Sequence, residues 1–235
     1  MSYSTLGLDE LARHIGMDAR EVRRLAERGV IPGQLVGGQW RFHRAALLDW
    51  LQRDMHTLHE NDRRNLERAV ADVPDALLLA QLIPRTGIEL NLPARSRASV
   101  LRELVRLVER TGLLYDAEGM LAALEEREAL GPTALPGGLA IPHPRRPLPY
   151  ATAEPLVCVA RVPAGIGFSA GDGRLTDLFV LICSHDDRSH LHALARVSLT
   201  FSPERCAALR EATDVDEALK LIADAEQRML RDRRS

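Results

Sequence analysis

Two uninterrupted apolar runs, Leu156-Val157-Cys158-Val159-Ala160 and Leu178-Phe179-Val180-Leu181-Ile182-Cys183, set the strongest constraint on this chain. Neither alternates with polar residues, so each must be covered on both faces, the pattern of an interior strand. The strands they predict run from Pro155 to Val162 and from Leu175 to Cys183. Helical patterns surround them. Val100, Leu101, Leu104, Val105, Leu107 and Val108 mark an amphipathic helix stopped by Gly112, and Asp116 to Leu130 gives a second with Leu121, Leu124 and Leu130. Helices from Ser189 to Phe201 and from Asp216 to Arg228 follow the second run, and Ile88 to Leu92 reads as a further short strand. From Leu77 to Gln227 this order predicts a sheet covered by helices on both sides. The longest apolar run is far too short to span a bilayer.

The first 54 residues are organised differently. Leu8, Leu11, Ala12 and Ile15 form one helical face closed by Gly16. Asp18 then stands as an N-cap with Glu21 at capping-box spacing, opening a helix with Val22, Leu25 and Ala26 inward and Arg20, Arg23, Arg24 and Arg28 outward. Leu35 to Phe42 reads as two short strands around Gly37-Gly38, and a third helix runs from Ala45 to about Asp54. Residues 55–76 are polar, with apolar positions too sparse for a core, and read as a helical connector. The expected division is 1–54, a connector at 55–76, and 77–235.

Charge confines any nucleic-acid contact to a local one near the N-terminus. The net charge of -2 gives no global field, but residues 19–44 carry six Arg against two Glu. Cys158, Cys183 and Cys206 are odd in number and widely spaced, so they read as buried small hydrophobes in a reducing cytosol. Asp9, Glu10, Arg13 and His14 break any signal-like stretch, so a cytoplasmic location is expected.

With its two helices, the Arg28-Gly29-Val30-Ile31-Pro32 segment and the wing Val36-Gly37-Gly38-Gln39-Trp40-Arg41-Phe42, the stretch 6–51 resembles the excisionase-type, winged members of the MerR-like DNA-binding family. A helix with several arginines on one face suits the major groove, where it meets phosphates and guanine edges. Arg20, Arg23, Arg24, Gln39 and Arg41 are the candidate DNA contacts, and Trp40 and Phe42 are expected to pack the wing. The same arginines also fit a solvated face, with Arg24, Glu27 and Arg28 paired along the helix. One such module makes few phosphate contacts, so tight specific binding implies a homodimer.

The second half contains Gly137-Gly138-Leu139-Ala140-Ile141-Pro142-His143, preceded by Glu126-Arg127-Glu128 and Gly131-Pro132-Thr133 and followed by Ser189-His190-Leu191-His192. A histidine displayed after a glycine-rich approach and a proline suits chemistry better than core filling. A neutral imidazole is a competent nucleophile near neutral pH. Residues 77–228, with these three motifs in order and the opening Leu92-Pro93-Ala94-Arg95, resemble the EIIA domain of the bacterial phosphotransferase system, in its fructose/mannitol and nitrogen-regulatory class.

The two resemblances together imply an α+β chain of two domains. A small winged helix-turn-helix is followed by an EIIA-type mixed sheet flanked by helices on both sides. They imply that His143 is the phosphorylated histidine, His190 a second active-site histidine, Arg127 the arginine near the phosphate and Thr133 its Ser/Thr neighbour. No cofactor or metal is implied, since the donor would be a phosphohistidine on an HPr-like carrier protein. The chain departs from the family pattern at Pro144, where glycine usually follows the active histidine; proline removes one backbone N–H there. The expected function is a DNA-binding transcriptional regulator switched through His143, without a membrane partner. The alternatives are an EIIA phosphocarrier passing phosphate to an EIIB, an interaction or sensor module that is never phosphorylated, and a metal site drawn from His185, His190, His192, Asp186 and Asp187.

Overall fold

A computed structural model describes residues 5–54, 61–65 and 78–232. The chain divides into two compact units, Met1–Ala76 and Leu77–Ser235. Of the expected connector 55–76, residues 61–65 are helical (α4) and the remainder lies outside the described residues.

The N-terminal unit runs β1 (Thr5–Leu6), α1 (Leu8–Ile15), α2 (Ala19–Glu27), β2 (Gln34–Val36), β3 (Gln39–His43) and α3 (Arg44–Asp54). Its three strands form an antiparallel sheet in the order β1-β3-β2. Leu11, Ile15, Val22, Ile31, Phe42, Trp50 and Leu51 are buried together at its centre. Gly16 closes α1 in the left-handed conformation, which lets the next helix start within three residues. Asp18 caps α2 by accepting the Arg20 N–H at 2.8 Å. The capping box expected from Glu21 does not form, because its carboxylate takes both Nε and Nη2 of Arg24, at 2.8 and 2.5 Å. Gly37 and Gly38 have φ of 57° and 77°, the paired positive angles that a two-residue hairpin turn of matching twist requires.

The C-terminal unit opens with 3-10 turns at Leu79–Leu82 and Arg85–Gly87, then β4 (Ile88–Glu89), α5 (Arg97–Glu109) and α6 (Ala117–Ala129). Next come β5 (Ala134–Leu135), β6 (Leu139–Ala140), β7 (Leu156–Ile166) and β8 (Thr176–Cys183), and then α7 (Asp187–Thr200), α8 (Pro203–Glu211) and α9 (Val215–Asp232). The sheet order is β4-β7-β8-β6-β5. Pairing is parallel for β4·β7 and β6·β8 and antiparallel for β7·β8 and β5·β6, so the sheet is mixed. Leu156, Cys158, Ala160, Phe179, Leu181 and Cys183 pack with the apolar faces of α5 and α6. The alternate set, Val157, Val159, Val180 and Ile182, is equally buried on the opposite face, where α7 lies against β8 and α9.

The helix α8 is absent from the sequence-based expectation, although Ser202-Pro203 is a recognisable start with proline in the first turn. Leu130 also departs from expectation: it caps α6 at its C-terminus and is exposed. The three cysteines are buried and free.

One buried polar cluster ties the ends of this unit together. Glu226 of α9 accepts the backbone N–H groups of Leu79 and Ala80 at 2.6 and 3.1 Å, and Arg196 of α7 reaches its Oε1 at 3.3 Å. Removing one partner of such a pair leaves the others dehydrated and uncompensated. Glu226→Ala is therefore expected to lower stability by about 3–5 kcal/mol, and Glu226→Gln by less, since the amide keeps one acceptor. Urea unfolding of the full chain measures both; an alanine variant as stable as the wild type would contradict the assignment.

Candidate functional site

His143 stands three residues beyond the end of β6, and the Ile141-Pro142 segment between them is fixed from both sides. The Ile141 N–H donates to the Thr133 carbonyl at 3.1 Å, and the Ile182 N–H donates to the Pro142 carbonyl at 3.1 Å. The glycine turn before β6 is held as firmly. Gly137 donates its N–H to Asp172 at 2.8 Å, and its carbonyl accepts from Arg210 Nη2 at 2.6 Å. At Gly138, with φ of 83°, an added Cβ would lie 2.8 Å from Arg210 Nη2 and 2.9 Å from Asp177 Oδ1, so the site's approach requires glycine.

Since β6 and β8 are parallel, their C-terminal ends lie on one side of the sheet. His143 leaves β6 there, and β8 delivers Ser184 and then the first turn of α7 with His190. Carboxyl ends of parallel strands are a recurrent place for ligand sites. Asp186 caps α7 through the N–H groups of Arg188 and Ser189, at 3.0 and 2.9 Å. Arg127 reaches the same point from the last turn of α6.

The geometry around His143 is specific. Its Nδ1–H donates to the Ile141 carbonyl at 2.7 Å, and its Nε2 accepts from Arg127 Nε at 3.2 Å. A carbonyl cannot donate, so the proton sits on Nδ1 and the lone pair on Nε2. Arg127 is also anchored through Nη1 to the Gly131 carbonyl at 2.9 Å. The His190 ring lies beside His143, with centroids 5.2 Å apart, and its Nδ1 is 2.7 Å from Ser184 Oγ. His143 is 2% exposed and His190 0%. Burial first, then the neighbouring His190 and Arg127, pull the His143 pKa well below 6.5. Burial, with Arg127 adding to it, brings His190 down to about 4. Both imidazoles are consequently neutral at pH 7, the state in which a ring nitrogen is nucleophilic.

Of the residues predicted here, Arg127, His143 and His190 converge. Thr133 joins them through the main chain: its carbonyl holds β6, while its hydroxyl donates to Glu128 Oε2 at 2.7 Å. Glu128 also accepts the Thr133 N–H at 3.3 Å, and burial raises its pKa. Sequence reasoning missed Glu128 and Ser184, which differ from surface polar residues only through burial. Pro144 is buried beyond His143, with Arg146 exposed. Of the histidines and acids weighed for a metal, His185 bonds to Thr152 and Asp186 caps α7. Among the described residues no three His, Cys, Asp or Glu side chains are placed to hold a metal ion.

In the N-terminal unit, Arg20, Arg23, Arg24, Gln39 and Arg41 are all exposed. Arg24 is paired with Glu21, and Gln39 Oε1 accepts from Arg41 Nη2 at 2.9 Å. The hairpin register sets Gln34 opposite Arg41, so Gln34, Gln39 and Arg41 share the outer face. Trp40 stacks on buried Phe42 on the other face, at 5.9 Å between centroids. Gln34 was recoverable from the two-residue turn, which fixes the pairing.

The two neutral histidines have a consequence for stability. In the unfolded chain each titrates near 6.5, so below that pH the unfolded state binds protons that the folded state refuses. Stability is then lost as pH falls, by about 1.4 kcal/mol per pH unit for each group, and the His190 part continues to about pH 4. Urea midpoints of the wild type and of His190→Gln between about pH 7.5 and 5 should show the shallower dependence in the variant. Identical slopes would contradict the neutral, buried state of His190.

Residues 81–225 match the family described as "Phosphoenolpyruvate-dependent sugar phosphotransferase system, EIIA 2", and residues 5–55 match "Helix-turn-helix domain". A nitrogen regulatory protein of Pseudomonas aeruginosa is 32% identical over 150 residues, which span 63% of this chain and 90% of that protein. The fructose-specific EIIABC component of Bacillus subtilis is 26% identical over 147 residues, 61% of this chain but 23% of that longer protein. Among solved structures, nitrogen regulatory protein IIA-Ntr of Neisseria meningitidis shares the fold, with a TM-score of 0.55 at 23% identity, covering 61% of this chain and 97% of that one. A further solved structure, the complex of enzyme IIA mannitol with phosphorylated enzyme IIB mannitol of Escherichia coli, aligns with a TM-score of 0.51 at 21% identity, over 60% of this chain and 97% of that one. The strands, the helices around them and the matched residues agree: this chain belongs to the EIIA 2 family of the phosphoenolpyruvate-dependent sugar phosphotransferase system, with a helix-turn-helix domain preceding the EIIA domain.

Proposed function

We propose that this chain is a cytoplasmic, DNA-binding transcriptional regulator whose EIIA-like domain accepts a phosphoryl group on His143 from an HPr-type carrier. The domain limits are taken as 1–54 and 77–235, joined through 55–76. The observation that carries the reading is a buried neutral imidazole whose only lone pair, on Nε2, faces a guanidinium, in a chain that also holds a helix-turn-helix unit. No described helix is long and apolar enough to cross a membrane.

The transfer balances without a metal. The phosphorus–nitrogen bond of the carrier's phosphohistidine breaks as the His143 Nε2 lone pair forms a new one, and the carrier's imidazole leaves with its electron pair. The ring of His143 then carries positive charge, which the Nδ1–H···O bond to Ile141 stabilises. Arg127 and His190 are the groups in reach of the phosphoryl oxygens, with Thr133 acting through Glu128 and the main chain. The added charge of roughly -1.5 to -2 falls beside Arg127 and close in sequence to Arg145 and Arg146. Such a change is enough to bias a two-state contact, and the reading places its output on DNA binding or on homodimer formation.

On the DNA side, Arg20 and Arg23 of α2 are assigned to the major groove and Arg41, Gln39 and Gln34 to the wing, with Arg24 shared between Glu21 and the duplex. A second reading, transfer from His143 onward to an EIIB protein, is favoured by the solved complex of a structurally similar mannitol IIA with its phosphorylated IIB.

Fluorescence anisotropy on a duplex selected from a random pool by the full chain tests the regulator directly. Treatment with phosphoenolpyruvate, Enzyme I and HPr is expected to shift the affinity of the wild type by roughly fivefold or more, and to leave His143→Ala unmoved. Arg23→Ala should weaken binding and reduce the slope of log affinity against log salt by about one. Failure to select any duplex, or equal affinity in both phosphorylation states, would contradict the proposal.

A further inference from the structure

Ser184 and His190 make a second buried polar pair beside the nucleophile. Ser184 Oγ lies 2.7 Å from His190 Nδ1, and both residues are nine-tenths or more buried. His190 Nε2, on the far side of that ring from Ser184, is buried without a hydrogen-bond partner among the described residues. The two imidazole planes are inclined at 57° with centroids 5.2 Å apart.

Two proton arrangements satisfy the 2.7 Å contact. If His190 Nδ1–H donated to the serine oxygen, the serine's own proton would be buried without an acceptor, and Nε2 would be left as an unpaired acceptor. If the serine hydroxyl donates to Nδ1, its proton is used and the single orphan is Nε2–H. The second arrangement leaves fewer unsatisfied groups, and its one remaining group is a donor. Around His143 Nε2 the other polar contact is also a donor, the Nε–H of Arg127. The Arg127 Nε–H at His143 Nε2 and an Nε2–H on the adjacent His190 ring are both donors, which suit an anionic oxygen and not a cation. An unsatisfied buried donor of this kind is also the sort of group that a ligand completes.

We propose that Ser184 is a positioning residue that fixes His190 in the Nε2–H tautomer, so that this N–H stands ready to donate to an anionic oxygen of the group carried on His143. The inference rests on the phosphoryl-accepting reading of His143 and assigns the proton that the reading needs. It also explains a serine buried at the end of an apolar run, since Ser184 directly follows Leu178–Cys183 at the end of β8.

The test is carried out on the full chain. A long-range proton–nitrogen NMR spectrum, with the His190 signals assigned by their loss in His190→Gln, reads the tautomer without any phosphoryl donor. The expected wild-type pattern is a protonated Nε2 and a hydrogen-bonded, unprotonated Nδ1; a proton on Nδ1 would overturn the proposal. In Ser184→Ala the Nδ1 resonance should move to that of an unbonded pyridine-type nitrogen, and the rate of phosphorylation by HPr should fall by roughly tenfold. Ser184→Thr, which keeps the hydroxyl, should restore both. Circular dichroism shows that each variant is folded, and a folded Ser184→Ala that is phosphorylated at the wild-type rate would overturn the role. A wild-type chain that takes up no phosphoryl group would defeat the underlying reading, and the tautomer spectrum would then decide the part played by Ser184.

Discussion

The hydrogen bond from His143 Nδ1 to the carbonyl of Ile141, 2.7 Å long, determines which chemistry the second domain can perform. It assigns the ring proton, leaves the lone pair on Nε2, and turns that nitrogen toward Arg127. The bond is only as good as the carbonyl's position, and that position is fixed on three sides. Thr133 and Ile182 hold the main chain on either side of β6, and the Arg210–Asp177 pair clamps the glycine turn that leads into it, at 2.7 and 2.8 Å. Pro142 stiffens the last step before the histidine. The nucleophile is thus oriented by main-chain geometry, and the sheet behind it exists largely to hold that geometry still.

Burial supplies the second half of the chemistry. His143 and His190 lie where charge is penalised, so both rings stay neutral beside an arginine. The same burial makes the site a stability liability at acid pH, and His190 Nε2 has no partner among the described residues. Polar groups of this sort persist in a core when they are nearly all paired. The Glu226–Arg196 cluster follows the same rule for a structural purpose. Its carboxylate joins the last helix to the first turn of the unit and to α7, the helix that also carries His190.

Much of this was legible in the sequence, for identifiable reasons. The helices α1, α2, α5 and α6 are announced by caps and glycines, and β7 and β8 by runs of apolar residues that no surface strand would carry. His143 stood out by its glycine-rich, proline-led approach and His190 and Arg127 through the resemblance to EIIA, and the fold brings the three side chains together. What the sequence could not convey is which polar residues end up buried. Glu128, Ser184 and Glu226 look like ordinary surface residues until the fold removes their water. The Asp18–Glu21 spacing predicted a capping box, and a nearer competitor, Arg24, took the carboxylate instead. Thr133 was expected at the phosphate, yet its hydroxyl proton is committed to Glu128. In both cases a neighbouring charged side chain takes the group first, which residue spacing alone does not resolve.

The account depends on His143 being a phosphoryl acceptor despite the proline that follows it. Intact-mass spectrometry of the full chain after incubation with phosphoenolpyruvate, Enzyme I and HPr from the same organism, compared with His143→Ala, tests this most directly. The account predicts the gain of one acid-labile phosphoryl group in the wild type and none in the variant. An unchanged wild-type mass under conditions that phosphorylate HPr, or equal labelling of both proteins, would contradict it.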